Sequence, residues 1–307
     1  MANIIMEDVK GGGGGGEDLL NEFIETTYTS TSFYSNSQAT IIGASKFRGQ
    51  MFSGVSFGAC SIIGSYAFAG CTYLSGVSFP ECEEINYLAF SGCTSLKTIS
   101  FPKCTTIYSG AFSGCSALTS VEFPECLSIK ESAFSSCRNL QEVILPKCTN
   151  IAGTAFRNLS GLQTISAEKC SGIGTSAFMY CSKLQTAYFP SLSSVPTSAF
   201  AYCSSLTDIT LTNCKTIGAS AFMSCRDLAT ISLPKCSLIN NYAFFACSNL
   251  SSMYLLGSSY VTLQYSSVLH GTPMQTGGGS IYVPSSMLES YLSRGNWSYY
   301  STRFVGV

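Results

Sequence analysis

The dipeptide Ala-Phe recurs at Ala67-Phe68, Ala89-Phe90, Ala111-Phe112, Ala133-Phe134, Ala155-Phe156, Ala177-Phe178, Ala199-Phe200, Ala221-Phe222 and Ala243-Phe244, nine copies at an invariant spacing of 22 residues. A fixed period of this length is the signature of a solenoid, because one such unit is too thin to bury its own apolar face and must stack on its neighbours. The 307 residues would ordinarily suggest two domains. The unbroken repeat predicts one elongated body with a cap at each end instead. The period constrains architecture far more than function, since a solenoid is a scaffold for surfaces.

Aligning the copies gives the unit L-x-x-V-x-F-P-x-C-x-x-I-x-x-x-A-F-x-x-C, with two further residues before the next Leu. In one copy the fixed places are Leu96, Ile99, Phe101, Pro102, Cys104, Ile107, Ala111, Phe112 and Cys115. Ile99-x-Phe101 has period two and reads as a short strand with Ser100 turned away from the core. The spacing of Ala111, Phe112, Cys115 and Leu118 predicts a helical or 3-10 turn, often preceded by a capping Ser, Thr or Gly such as Gly174-Thr175-Ser176. Pro80, Pro102, Pro124, Pro146, Pro190 and Pro234 follow the strands, where a missing N–H ends a ladder without loss of a bond. Each registered Phe contributes about 1.5–3 kcal/mol on burial. Coils at strand spacing of about 4.8 Å make the array roughly 50 Å long.

The segment Leu118 to Leu140, LTSVEFPECLSIKESAFSSCRNL, carries a resemblance. It is similar to the BspA-type leucine-rich repeats of bacteria, which also occur in phage and prophage proteins, and the likeness covers about 220 residues. It departs from that family's usual pattern at the slot of Cys104 and its equivalents, commonly an apolar residue, and in a unit often one residue longer. The resemblance implies a leucine-rich-repeat solenoid, mainly β, with one short strand and one short helical or 3-10 turn per coil and about ten coils. It further implies a non-enzymatic recognition or adhesion module that binds a protein or glycan on a cell surface through its strand face. The alternative is a phage or prophage virion component, the receptor-binding part of a tail fibre. Location is then extracellular or virion-associated, although Met1 to Lys10 lacks the basic and apolar regions of a secretory signal.

All 16 cysteines fall into two columns. One runs through Cys60, Cys82, Cys104, Cys126, Cys148, Cys170, Cys214 and Cys236, the other through Cys71, Cys93, Cys115, Cys137, Cys181, Cys203, Cys225 and Cys247. Leu192 interrupts the first and Leu159 the second, so the slot accepts a larger hydrophobe, as a buried packing position does. Free buried thiols are therefore expected, although equivalent cysteines on adjacent coils fall within disulfide reach of one another. The regular alternation offers no C-x-x-C pair, and His270 is the only histidine, so no metal site is expected. With one histidine there is no Ser-His-Asp or Cys-His constellation. A charged fraction of 11% and a net charge of −1 leave no basic footprint for nucleic acid. No run reaches the roughly 18 apolar residues of a membrane span, and Gly11 to Gly16 lacks the Lys-Ser/Thr of a phosphate loop, so no cofactor is expected.

On the strand face most outward positions are Ser or Thr, the ordinary composition of a solvated sheet. Glu122 with Glu142, Tyr188 near Asp208, and Tyr254 depart from it. Exposed Tyr supplies contact area at little entropic cost, and carboxylates beside it can accept from a glycan or a protein, so these five are the candidate ligand-binding residues. The column Glu81, Lys103, Glu125, Lys147 alternates in charge on consecutive coils and reads as register support.

The expected division is residues 1–41 for an N-terminal peptide, glycine linker and cap helix, 42–262 for the repeat array and 263–307 for a C-terminal cap. Leu19, Leu20, Phe23 and Ile24 have helical spacing. The apolar Ile4 to Met6, tethered by Gly11 to Gly16, suggests strand addition to a neighbouring subunit or a larger assembly. In the C-terminal segment, Ile281-Tyr282-Val283-Pro284 restores the strand pattern, Ser285 to Leu292 predicts a capped helix, and Trp297 is expected to plug the last coil.

Overall fold

Three hydrogen-bonded ladders run along the array in the computed structural model, which describes residues 32–307 and the backbone of strand Ile5–Glu7. The first is the anticipated strand ladder. Three-residue strands occur once per coil and pair in parallel and in register within four runs: Ile5–Glu7 to Gly76–Ser78, Thr98–Ser100 with Ser120–Glu122, Glu142–Ile144 to Asp208–Thr210, and Thr230–Ser232 to Phe304–Gly306. Ile99, Val143 and Ile165 at their centres are buried, while the flanking residues face outward as the period of two requires. The ladder also takes in Phe33–Ser35 before the Ala-Phe code begins and Ser280–Val283 and Phe304–Gly306 after it ends, making about twelve coils.

A second ladder has no counterpart in the sequence reading. Two-residue strands on the Ile column pair from Ile41–Ile42 to Gly172–Ile173 and, separately, from Ser194–Val195 to Thr262–Leu263. The break has a local cause. In other coils the residue after the strand donates its N–H to the Ile carbonyl one coil back, as Asn86 does to Ile63, Gly174 to Ile151 and Gly218 to Val195. At the junction that residue is Pro196, which has no N–H to offer Ile173.

The third ladder replaces the helical turn expected around Ala-Phe. From Phe47 to Phe222 each Phe amide of this column donates to the Ala carbonyl of the next coil, for example Phe68 to Ala89 and Phe90 to Ala111, both at 2.7 Å, and Phe244 donates to Val268. The residue before Ala and the second residue after Phe both have positive φ, as in Ser132 (55°) and Ser136 (64°) around Ala133-Phe134. Left-handed residues on both sides prevent a helix from propagating, and the segment folds as successive tight turns such as Cys137 N–H to Phe134 O at 3.1 Å. Non-glycine residues tolerate this backbone because neighbouring coils hold it on both sides.

Between the ladders lies one continuous core. The Phe of the Ala-Phe pair stacks on its equivalents along the array, with ring centres 5.0 Å apart for Phe68 and Phe90 and 5.2 Å for Phe90 and Phe112. A second column, Phe57, Phe79, Phe101 and Phe123, stacks alongside and then gives way to Leu145 and Ala167. All sixteen cysteines are buried and unpaired by disulfides. On the surface, Lys103 pairs with Glu81 at 2.5 Å and Lys147 with Glu125 at 2.7 Å, as their alternation along the column requires.

At the C-terminal end the segment that follows the repeats closes the core. Ser285–Met287 and Gly295–Arg303 are 3-10 turns around the short helix Leu288–Ser293. Trp297 is fully buried and donates from Nε1 to the Val261 carbonyl at 2.6 Å, and the Tyr291 hydroxyl accepts from the Val261 amide at 3.0 Å. Asn296 donates to the carbonyls of Leu263 and Gln264, so edge groups of the last coil are satisfied. At the other end Ile5–Glu7 pairs in parallel with Phe33–Ser35, adding a strand to this chain's own edge. The cap helix expected around Leu19 to Ile24 and the linker Gly11 to Gly16 lie outside the described residues.

Candidate ligand-binding face

Each strand triplet sends its first and third residues outward, so the strand ladder presents two parallel rows of side chains. The third-position row reads Ser78, Ser100, Glu122, Ile144, Ser166, Tyr188, Thr210, Ser232, Tyr254 and Tyr282. Glu122 is exposed and accepts from Ser100 Oγ at 3.0 Å. Glu142, one coil on and in the first-position row, accepts from Thr164 Oγ1 at 3.3 Å. Hydroxyls of flanking coils thus hold both carboxylates against the sheet, leaving further acceptor positions open to solvent.

Tyr188 is 43% exposed and lies between Ser166 and Thr210 in register, while exposed Asp208 sits beside Thr186. The small neighbours leave the Tyr188 ring uncovered. Tyr254 is only half-exposed because its ring stacks on Tyr282, 4.5 Å between centres and 8° from parallel. The five candidates therefore share one face but form three spots: Glu122 with Glu142, Tyr188 with Asp208, and Tyr254 with Tyr282.

Sequence reading singled out neither Ile144 nor Tyr282. Ile144 is 54% exposed and occupies the place next to Glu122 in the third-position row. Its signal was present as an apolar residue in a Ser/Thr column. Tyr282 was hidden by the longer 28-residue step from Tyr254, which breaks the repeat spacing.

The face is open. The two shallow depressions described, about 230 and 460 Å³, include none of these residues. Among the described residues no group of three or more His, Cys, Asp or Glu could hold a metal ion, and no helix is long and apolar enough to cross a membrane.

The repeat unit also matches a known family. Residues 40–163 and 128–251 match the BspA type leucine rich repeat region, in six copies. The chain belongs to the BspA-type leucine-rich repeat family. Among solved structures it is similar to a leucine-rich repeat protein from Bacteroides ovatus, at 26% identity over 91% of this chain and 78% of that one, with a TM-score of 0.71. A leucine rich cell surface protein from Faecalibacterium prausnitzii is 24% identical over 90% of this chain and 83% of that one, with a TM-score of 0.46. A comparison with curated proteins gave no match. The BspA-type assignment accounts for the 22-residue coil and its strand face.

Proposed function

We propose that this BspA-type solenoid is a non-enzymatic recognition module that binds a protein or glycan on a cell surface through the strand face. The observation that carries the reading is the shape of that face. It is an open row of strands on which Glu122, Glu142, Ile144, Tyr188 and Asp208 interrupt a Ser/Thr background. Small molecules are held in concave pockets that bury most of their surface. A flat row of separated aromatic and acidic spots suits a large partner, contacted at a few anchors surrounded by small neutral residues.

The test measures binding of the full chain to whole bacteria, to host surface proteins and to a glycan array, followed by Tyr188→Ala combined with Asp208→Ala. The double variant is expected to fold normally and to weaken the strongest interaction at least tenfold, about 1.4 kcal/mol. Unchanged affinity for every bound partner would remove the strand face as the site.

A further inference from the structure

On the side of the turn ladder, away from the strand face, two clusters of arginine and tyrosine have no part in the core. In the first, the Arg48 guanidinium lies 5.2 Å from the centre of the Tyr66 ring, and Tyr66 meets Tyr87 edge-on at 5.3 Å. In the second, Arg157 lies 5.9 Å from the Tyr180 ring, and Tyr180 stacks on Tyr202 at 4.8 Å. Both arginines occupy the same place in the coil, directly after the ladder residues Phe47 and Phe156. Elsewhere along the Ala-Phe repeats that place is small or apolar, as in Ala69, Ser91, Met179 and Met223.

The backbone argues that these rings are placed against local preference. Tyr66, Tyr180 and Tyr202 have φ of 58°, 66° and 62°. At the place of Tyr180 and Tyr202 other coils carry Gly70, Gly92 and Gly114, or Ser136 and Asn158. Every coil adopts this backbone at these places, but glycine takes it without a Cβ conflict, so a bulky ring is not the residue local preference selects. Tyr180 and Tyr202 remain 40% and 37% exposed, as does Tyr87 beside the half-buried Tyr66 at 46%. Arg157 Nε is buried without a hydrogen-bond partner, a donor lacking its acceptor. Arg48 and Tyr66 line the smaller depression, about 230 Å³, together with Gly70 and Leu88.

The two clusters sit five coils apart on one ridge, roughly 24 Å at strand spacing. A ligand that engages both must repeat its own chemistry along its length. It must also offer an apolar ring face to tyrosine and an anionic acceptor to arginine. A polymer of sugar acids meets all three requirements. We propose that the turn ridge is a second binding surface, for a uronic-acid-bearing polysaccharide held at Arg48, Tyr66 and Tyr87 and again at Arg157, Tyr180 and Tyr202. Each contact is weak alone, and the chain gains affinity because one polymer reaches both.

Native gel retardation of the full chain by polygalacturonate tests the proposal, with neutral dextran and poly-glutamate as comparisons. Retardation is expected with polygalacturonate and not with the other two. Tyr180→Gly combined with Tyr202→Gly is expected to keep or raise Tm, because glycine relieves the left-handed strain, yet to weaken retardation at least tenfold. Arg48→Ala with Arg157→Ala provides a second variant, with the same expected loss. Absence of retardation by polygalacturonate, equal retardation by dextran or poly-glutamate, or full retardation of both folded variants would overturn it.

Discussion

At the residue scale, cysteine fills a buried slot and satisfies its own thiol there. The two columns do different work. In the second, each thiol donates to the Phe carbonyl one coil back, Cys93 to Phe68, Cys115 to Phe90 and Cys137 to Phe112, all at 3.1 Å. In the first, the thiol donates to a carbonyl two residues ahead, as Cys104 does to Thr106 at 3.4 Å. Burial pushes the Cys60, Cys71 and Cys214 thiols up to about 11, and Cys104, Cys170 and Cys236 to about 12. Thiolate is the reactive form, so these six thiols are expected to resist a thiol reagent at pH 8, whereas the hydrogen bond from the Cys126 thiol pulls Cys148 the other way. All sixteen should react once the chain is unfolded without reductant. Fewer than about 12 reacting would reveal disulfides. Alkaline pH supplies the sign of the coupling. The folded state keeps protons that the unfolded chain releases above the ordinary thiol value of 9.0, so stability is full below that pH and falls as pH rises toward 11. Urea midpoints at successive pH values between 8 and 11 should therefore decline; a constant midpoint would contradict the burial.

Stacked Phe rings dominate the coil as an element. Phe112 packs on Phe90 and Phe134 at 5.2 Å on either side, so Phe112→Ala opens a gap that neither neighbour can fill. A loss of about 3–5 kcal/mol is expected by chemical denaturation. Ser100→Ala on the outward row should stay within about 0.5 kcal/mol. The core columns were legible because a period of 22 puts every one of them in register. The Ile ladder and the left-handed turns were not. Two residues such as Thr106–Ile107 form a strand only because equivalent pairs lie on both sides, and the Ala-Phe turn is set by bonds to adjacent coils. Helical spacing at Ala111, Phe112, Cys115 and Leu118 reported correctly which residues are buried but not the backbone that buries them.

Over the whole molecule, the strand and turn ladders continue past Pro196 while the Ile ladder stops there. Thr186 pairs with Asp208 and Phe178 donates to Ala199, so the array stays joined on two sides of three. Nearest-neighbour stability in a solenoid makes this a weak junction, alongside those where the strand ladder breaks after Gly76–Ser78, Ser120–Glu122 and Asp208–Thr210. Hydrogen exchange should find the Ser193 amide, 3.3 Å from its acceptor Ser171, less protected than Lys215 and Gly218 at 2.9 and 2.7 Å. Equal protection would mean that the other two ladders compensate. The C-terminal cap carries comparable weight. Trp297→Ala removes the largest buried side chain and the bond to Val261, and is expected to lower stability by about 3–5 kcal/mol, read as a shifted urea midpoint.

The sequence by itself determined the solenoid, its coil length and the membership of its core, because those follow from a period and from which residues avoid water. It also marked Glu122, Glu142, Tyr188, Asp208 and Tyr254 as departures from a Ser/Thr row. Only the tertiary structure decided how those departures group, that Tyr254 is covered by Tyr282, and that Arg48 and Arg157 meet tyrosine rings on the opposite ridge. The physical reason is one of range. Burial is a property of each residue in its own coil, whereas pairing, stacking and left-handed turns exist only between coils, where residues about 22 apart become neighbours.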